Sequence, residues 1–493
     1  MSVPEEASLG EQFHTAGDRR LVDPGDPHRP QYHFLPPANW MNDPNGPIFW
    51  QGRYHLFYQH NPQGPRWGPM HWGHAVSPDL VHWEHLPIAL TPTPGSPDEG
   101  GCWSGCAVDN GGVPTLVYTG VTGERFEMQR TCLATSDDGL LTFRKHPANP
   151  VTEPPPGMDL VGFRDPCLWR EGDVWYQAIG SGIRGYGGAV LLYRSPDLIH
   201  WEYLHPLYAR SSQEADPLPT GGMWECPQLF PLGDRHVLLV SAIVEGRPGY
   251  VACFIGRCEK QQFIPETLRR LDYGADYYAP ITQLDPAGRR ILWGWSWEGR
   301  SPDTQEAAGW AGVMALPRIL SLRPDGDLGI EPAPDLAVLR RRHHALGGGA
   351  VDDTGLLLSG DCLEVIAKLE PQGHEVGLRL RRSPGGEEET LVYYNPNTSR
   401  LVVDRERSSL DPAAYGGVHG GPLVLDPDEP LRLHVFLDRP ILEVYANGRV
   451  ALTERIYPSR ADSLAIAAHA PGGRAALRSL EAWELTSIWG GTG

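Results

Sequence analysis

Three carboxylates in this chain are presented in the same way, each followed within two residues by proline and flanked by a ring or a guanidinium. Asp43 lies in Trp40-Met41-Asn42-Asp43-Pro44-Asn45-Gly46, Asp165 in Phe163-Arg164-Asp165-Pro166, and Glu225 in Met223-Trp224-Glu225-Cys226-Pro227. Two carboxyl groups that face each other across a C–O bond can divide the work of breaking it. One protonates the departing oxygen while the other attacks carbon or activates water. Tryptophan rings beside them offer apolar area to the faces of a sugar. The pattern fits glycoside cleavage, but Asn-Asp-Pro-Asn-Gly is also an ordinary turn, and acidic residues in turns commonly cap the backbone. Taken singly, the residues leave both roles open.

Side chains drawn from positions 43, 165 and 225 need a scaffold that brings distant segments together. With 493 residues, the chain exceeds what one core usually serves and predicts two domains. Its 58 Gly, 48 Pro and 16 Trp favour short strands and turns over long helices. A repeat supports this. Ser77-Pro78-Asp79-Leu80-Val81-His82-Trp83 returns as Ser195-Pro196-Asp197-Leu198-Ile199-His200-Trp201, with a looser copy from Ser136 to Phe143, and the three copies start 59 residues apart. Each follows a strand-like run, at 73–76, 131–134 and 190–193. Such a period suggests stacked all-β units, the arrangement of a propeller. A fainter fourth copy is expected near Cys258.

Beyond about Arg318 the texture changes. Residues 332–349 read as a connector, with a helical start at Pro332-Ala333-Pro334-Asp335-Leu336, a solvated basic run from Arg340 to His344, and an end at Gly347-Gly348-Gly349. Alternation at 431–437 and 441–446 predicts half-buried antiparallel strands, and Asn447-Gly448 a hairpin turn.

The ordered motifs resemble glycoside hydrolase family 32, the invertases, inulinases and levanases. After the Asp43 segment come 54–62 (YHLFYQHNP), 67–75 (WGPMHWGHA), Trp103-Ser104-Gly105, the Asp165 and Glu225 segments, Asp276-Tyr277-Tyr278-Ala279, Trp293-Gly294-Trp295 and Gly309-Trp310-Ala311-Gly312. The resemblance implies a five-bladed β-propeller over 31–331, a connector over 332–349 and a C-terminal β-sandwich over 350–493, with 1–30 as an N-terminal extension. It implies Asp43 as nucleophile, Glu225 as acid/base, and Asp165, aided by Arg164, as the carboxylate that steadies the transition state. Trp40, Asn42, Gln59, Trp67, Ser104 and Trp295 fall in the family's sugar-binding shell, and Tyr278 and Asp276 also match, with their roles open between the site and the packing of the scaffold. Trp103 stands where the family more often has Phe, and Pro440 where it has a small polar residue.

The expected activity is retaining β-fructofuranosidase action on sucrose and short fructooligosaccharides. An exo-inulinase, levanase or fructosyltransferase of the same family is the alternative, and a non-catalytic propeller would be expected to have lost a carboxylate. A net charge of −19 argues against nucleic acid. No apolar run is long enough for a signal peptide or a membrane span, so a cytoplasmic location is expected. The eight cysteines form no zinc spacing or disulfide framework, and Cys226 reads as a buried small residue. His71, His74 and His82 read as structural. Neither a metal nor an organic cofactor is called for, the partner is a small carbohydrate, and the oligomeric state is not legible.

Overall fold

The computed structural model describes residues 25–123, 126–471 and 473–489. Residues 1–24 of the expected N-terminal extension lie outside the described residues. The fold is all-β, and Pro302–Ala308 is the one α-helix among the described residues. Ser301 caps its start, and Gly309, in the left-handed region, ends it.

Five antiparallel sheets follow one another along the first two-thirds of the chain. Their first strands are Asn39–Trp50, Gly101–Asp109, Leu160–Glu171, Met223–Leu232 and Tyr278–Leu284. These strands contact one another in sequence, and the fifth contacts the first, so the inner strands close a ring. A short segment, Trp310–Ala311, leaves the fifth sheet to pair in parallel with Asn39 and Trp40, tying the ends of the ring together. Gly312 permits this approach, because with φ +81° any Cβ there would lie 1.9 Å from the Met41 carbonyl oxygen.

Sequence tracks position within each sheet. Second strands such as Pro114–Thr122 are buried throughout, whereas outer strands such as Glu84–Leu90 are mostly open on one face. The three Ser-x-Asp segments form matching turns from third to fourth strand. In two of them Asp79 and Asp197 accept N–H bonds from the residues two and three on and pair with His82 and His200; in the looser copy Asp138 accepts from residues three and four on. Leu80, Leu140 and Leu198 carry φ of +69°, +74° and +69°, so the turns share one backbone path. The fourth copy expected near Cys258 is absent. There the strands Arg247–Glu259 and Gln262–Arg270 join directly through Lys260-Gln261.

The last third forms two antiparallel sheets around a common core that includes Val365, Leu378, Val403, Leu433 and Val444. The expected connector differs in its second part. Pro334–Leu339 is a 3-10 helix, but Arg340–Leu346 is a strand paired with Arg474–Leu485. Within that run Arg340 pairs with Glu364 over the Trp483 ring, while Arg341 and Arg342 are exposed. Strands Leu431–Asp438 and Ile441–Ala446 are buried on both faces, where alternation suggested half-burial. Their second face packs on the first region: Phe436 and Tyr445 join a cluster with Leu320 and Ile330. Asn447 and Gly448 turn with positive φ, as the hairpin requires.

Candidate active site

Each inner strand breaks its register where a candidate side chain sits. The irregularities fall at Met41/Pro44, Trp103/Gly105, Glu225/Gln228 and Tyr278/Ile281, and in the third sheet opposite Ala178/Gly180, which face Cys167 and Arg164. A bulge adds a residue and re-aims its neighbours. Here two consecutive residues per strand stand at the bulge, and eight of the ten line one pocket. One tier is Asn42, Trp103, Arg164, Glu225 and Tyr278, and the next is Asp43, Ser104, Asp165, Cys226 and Ala279. Asp165, Cys226 and Ala279 have φ of +62°, +47° and +48°, conformations held by their surroundings.

The bulges open a pocket of about 390 Å³ lined by Asp43, Asp165 and Glu225 together with Asn42, Gln59, Trp67, Trp103, Ser104, Arg164, Tyr278 and Trp295. Trp40 stands behind this wall, donating its indole N–H to Asn42 at 2.7 Å and meeting Trp295 edge-on. Met70, Gln129 and Pro248 also line the pocket and were not expected. Met70 sits within the 67–75 motif, whereas no sequence signal marks Gln129 or Pro248; Gln129 accepts from Arg164 and from the Phe163 N–H.

The carboxylates are interlinked. Asp43 accepts from Asn42 at 3.0 Å and from the Ser104 hydroxyl at 2.6 Å. Glu225 Oε1 accepts from Arg164 Nε and Nη2 at 3.0 and 2.9 Å, and Oε2 accepts from the Tyr278 hydroxyl at 2.8 Å. Asp165 accepts from the Cys226 N–H at 3.0 Å, and the Cys226 thiol lies 3.6 Å from both Asp165 Oδ2 and Asp43 Oδ2. Burial holds that thiol well above its usual range, so it stays a neutral donor.

Arg164 is paired with Glu225, and its charge also acts on Asp165. Burial, opposed by the Ser104 bond and reinforced by the Glu225 charge, lifts Asp43 to about 6. Burial lifts Asp165 to about 7 against the pull of Arg164, with Glu225 and Asp43 adding to the rise. Protons in such a cluster belong to the group of carboxyls together. Burial thus keeps a proton on this cluster up to near neutrality, with Asp43 lifted less than Asp165. Trp67, 47% exposed, meets Trp103 and Phe126 edge-on and forms an aromatic rim.

Asp276 is not in the pocket. It accepts from Arg405 and from the Arg455 N–H, at the junction with the second region. His71, His74 and His82 also lie elsewhere, bonded to the Pro69 carbonyl, His55 and Asp79. Among the described residues no group of three or more His, Cys, Asp or Glu could hold a metal ion.

Residues 33–332 match the family description "Glycosyl hydrolases family 32 N-terminal domain", and residues 338–484 match "Glycosyl hydrolases family 32 C terminal". The chain is 39% identical to a sucrose-6-phosphate hydrolase of Zymomonas mobilis, over 92% of each chain. It is 36% identical to a raffinose invertase of Escherichia coli, over 94% of this chain and 96% of the relative. Among solved structures, fructan 1-exohydrolase IIa from Cichorium intybus, in complex with 1-kestose, superimposes with a TM-score of 0.85 and 29% identity, covering 94% of this chain and 98% of that one.

Proposed function

The chain belongs to glycosyl hydrolase family 32, and from that premise we propose that it is a retaining β-fructofuranosidase that releases fructose from sucrose and short fructooligosaccharides. The observation that carries this reading is the convergence of Asp43, Asp165 and Glu225 in one pocket with a single guanidinium among its lining residues. We read the five sheets as blades of a propeller, with residues from about 340 onward as a β-sandwich.

Asp43 attacks the anomeric carbon of the fructosyl unit, its bonds to Ser104 and Asn42 fixing the carboxylate's orientation. The glycosidic C–O bond breaks as Glu225 gives its proton to the leaving oxygen. A tyrosine hydroxyl can accept from a carboxylic acid as readily as it donates to a carboxylate, so the Tyr278 contact serves Glu225 in both states. Asp165 faces the ring as positive charge develops and accepts from fructose hydroxyls. Water then enters, Glu225 takes its proton, and the bond between Asp43 and the sugar breaks, returning the original anomeric configuration.

The names of the relatives favour a second reading, hydrolysis of a phosphorylated sucrose. Against it, the one cation among the described lining residues is Arg164, already committed to Glu225. Neutral sucrose is the better-supported substrate. Eight free cysteines support a reducing, cytoplasmic setting. The deciding experiment measures product release from sucrose, sucrose 6-phosphate, 1-kestose, inulin and levan side by side. Fastest turnover of sucrose and kestose is expected. A preference for the phosphate ester or for either polymer would replace the proposal.

A further inference from the structure

Around the pocket, the second strands of the first four sheets meet the inner strand of the next sheet. The residues that do so are Gln59, Thr119, Gly180 and Ser241, at matching positions opposite the bulges. Gln59 donates to the Cys102 carbonyl at 3.0 Å. Thr119 accepts the Asp165 N–H at 2.8 Å, and Ser241 accepts the Ala279 N–H at 3.1 Å. Gly180 has no side chain to offer, and a Cβ there would lie 2.5 Å from the Trp224 carbonyl. At that junction the bulge N–H, that of Cys226, is left to the Asp165 carboxylate. Two hydroxyls thus hold bulges in the left-handed region, and where the hydroxyl is missing Asp165 takes over.

We propose that Thr119 is a positioning residue for the reaction, acting through both Asp165 and Ser104. This inference rests on the reading of the pocket given above. One buried hydroxyl, 1% exposed, serves two partners: its oxygen accepts from Asp165 and its proton goes to the Ser104 carbonyl at 3.0 Å. Ser104 in turn binds Asp43 through its own hydroxyl. The strands that carry the nucleophile's partner and the charge-stabilising carboxylate are therefore pinned to one atom. Without an acceptor at Thr119 the Asp165 N–H is buried and unpaired, and its φ of +62° loses its restraint. The bulge then relaxes and moves the carboxylate away from the developing charge. Small displacements of this kind cost rate more than ground-state affinity.

The test compares wild type, Thr119→Val, which keeps shape and removes the hydroxyl, and Thr119→Ser, which restores it. With sucrose, Thr119→Val should lose about ten- to a hundredfold in kcat with KM changed less than about threefold, and Thr119→Ser should stay within about threefold of wild type in both. A second readout uses two ligands: fructose, and a cationic iminosugar of furanose shape that imitates the charged transition state. Thr119→Val should bind the iminosugar about tenfold more weakly or worse and fructose nearly as wild type does. Equal weakening of both ligands, an unchanged kcat, or no rescue by Thr119→Ser would overturn the proposal. If Thr119→Val does not fold, Thr119→Ala takes its place, and failure of both to fold assigns Thr119 to stability and overturns it too. An inactive wild-type protein would sink the reading of the pocket and this inference together, whereas an active one with a normal Thr119→Val sinks the inference alone.

Discussion

The pocket and the layer between the two halves of the molecule both take carboxylates out of bulk water, with opposite results. In the pocket Asp43 and Asp165 rise to about 6 and about 7. In the layer Glu443 and Glu298 are held down to about 2, although burial alone would raise them. The difference is the supply of cations. Glu443 has Arg318 at 3.0 Å, His33 at 3.2 Å and the Tyr445 hydroxyl, and Glu298 has Arg300 and Arg455. Three pocket carboxylates have Arg164. The layer itself contains the exception that supports this account: Glu454 and Asp276 share Arg405, and there Glu454 is pushed up, first by burial and in part by Asp276. A buried carboxylate well supplied with cations and donors holds the fold together; an excess of carboxylates over cations stores protons and reactivity at a cost in stability.

The sharpest break in this comparison is Asp43→Asn. Removing the proposed nucleophile should lower turnover of every fructoside by at least about 10⁴-fold, as followed by fructose release. Because Asp43 must be ionised to attack, wild-type kcat/KM should fall as pH drops through about 6. A rate that is flat through that range would detach Asp43 from the chemistry.

Arg318→Met should have the next largest effect, and in the other currency. It leaves Asp272 and Glu443 buried without their shared cation, at a cost of about 3–5 kcal/mol in urea unfolding. The kcat of the molecules that remain folded should stay near wild type. A loss below about 1 kcal/mol would mean that the layer is not held by charge.

Asp165→Asn joins the two regions' logic in one variant. Loss of a charged bond worth about 3 kcal/mol should slow kcat on the order of a hundredfold, with KM changing little. Stability should move the other way. The folded state binds the Asp165 proton more tightly than the unfolded chain does, so its contribution is full below about pH 4 and is lost as pH rises through about 7. The variant should therefore melt higher than wild type above that pH, with the gap closing toward about pH 4. Glu443 and Glu298 follow the opposite sign, their stabilisation present above about pH 4 and lost toward 2. An Asp165→Asn advantage over wild type that is no larger at alkaline than at acid pH would contradict the charge-excess account.

Local features of this architecture were legible in sequence, and distant partnerships were not. The Ser-x-Asp turns could be read because each is closed by its own hydrogen bonds within a few residues. A second period went unread: Ser104 and Asp43, Arg164 and Glu225, and Asp165 and Cys226 are each bonded across 61 residues. The fold repeats the position while chemistry varies the residue, so the same bulge carries Asp, Ser, Asp and Cys and hides the spacing. Asp276 was ambiguous because Arg405 and Tyr415 lie 129 and 139 residues away. The strands over 431–446 read as half-buried because alternation cannot reveal that the first region will cover their polar face, where Glu443 meets Arg318.

The most direct test of the account is peptide-level mass spectrometry of a trapped intermediate. Glu225→Ala, given a fructoside whose leaving group needs little protonation, should form the covalent species and lack the base to hydrolyse it. After a rapid acid quench and digestion, the account predicts a hexosyl adduct on the peptide carrying Asp43. An adduct on Asp165 or another residue, or turnover with inverted configuration and no adduct at all, would contradict it.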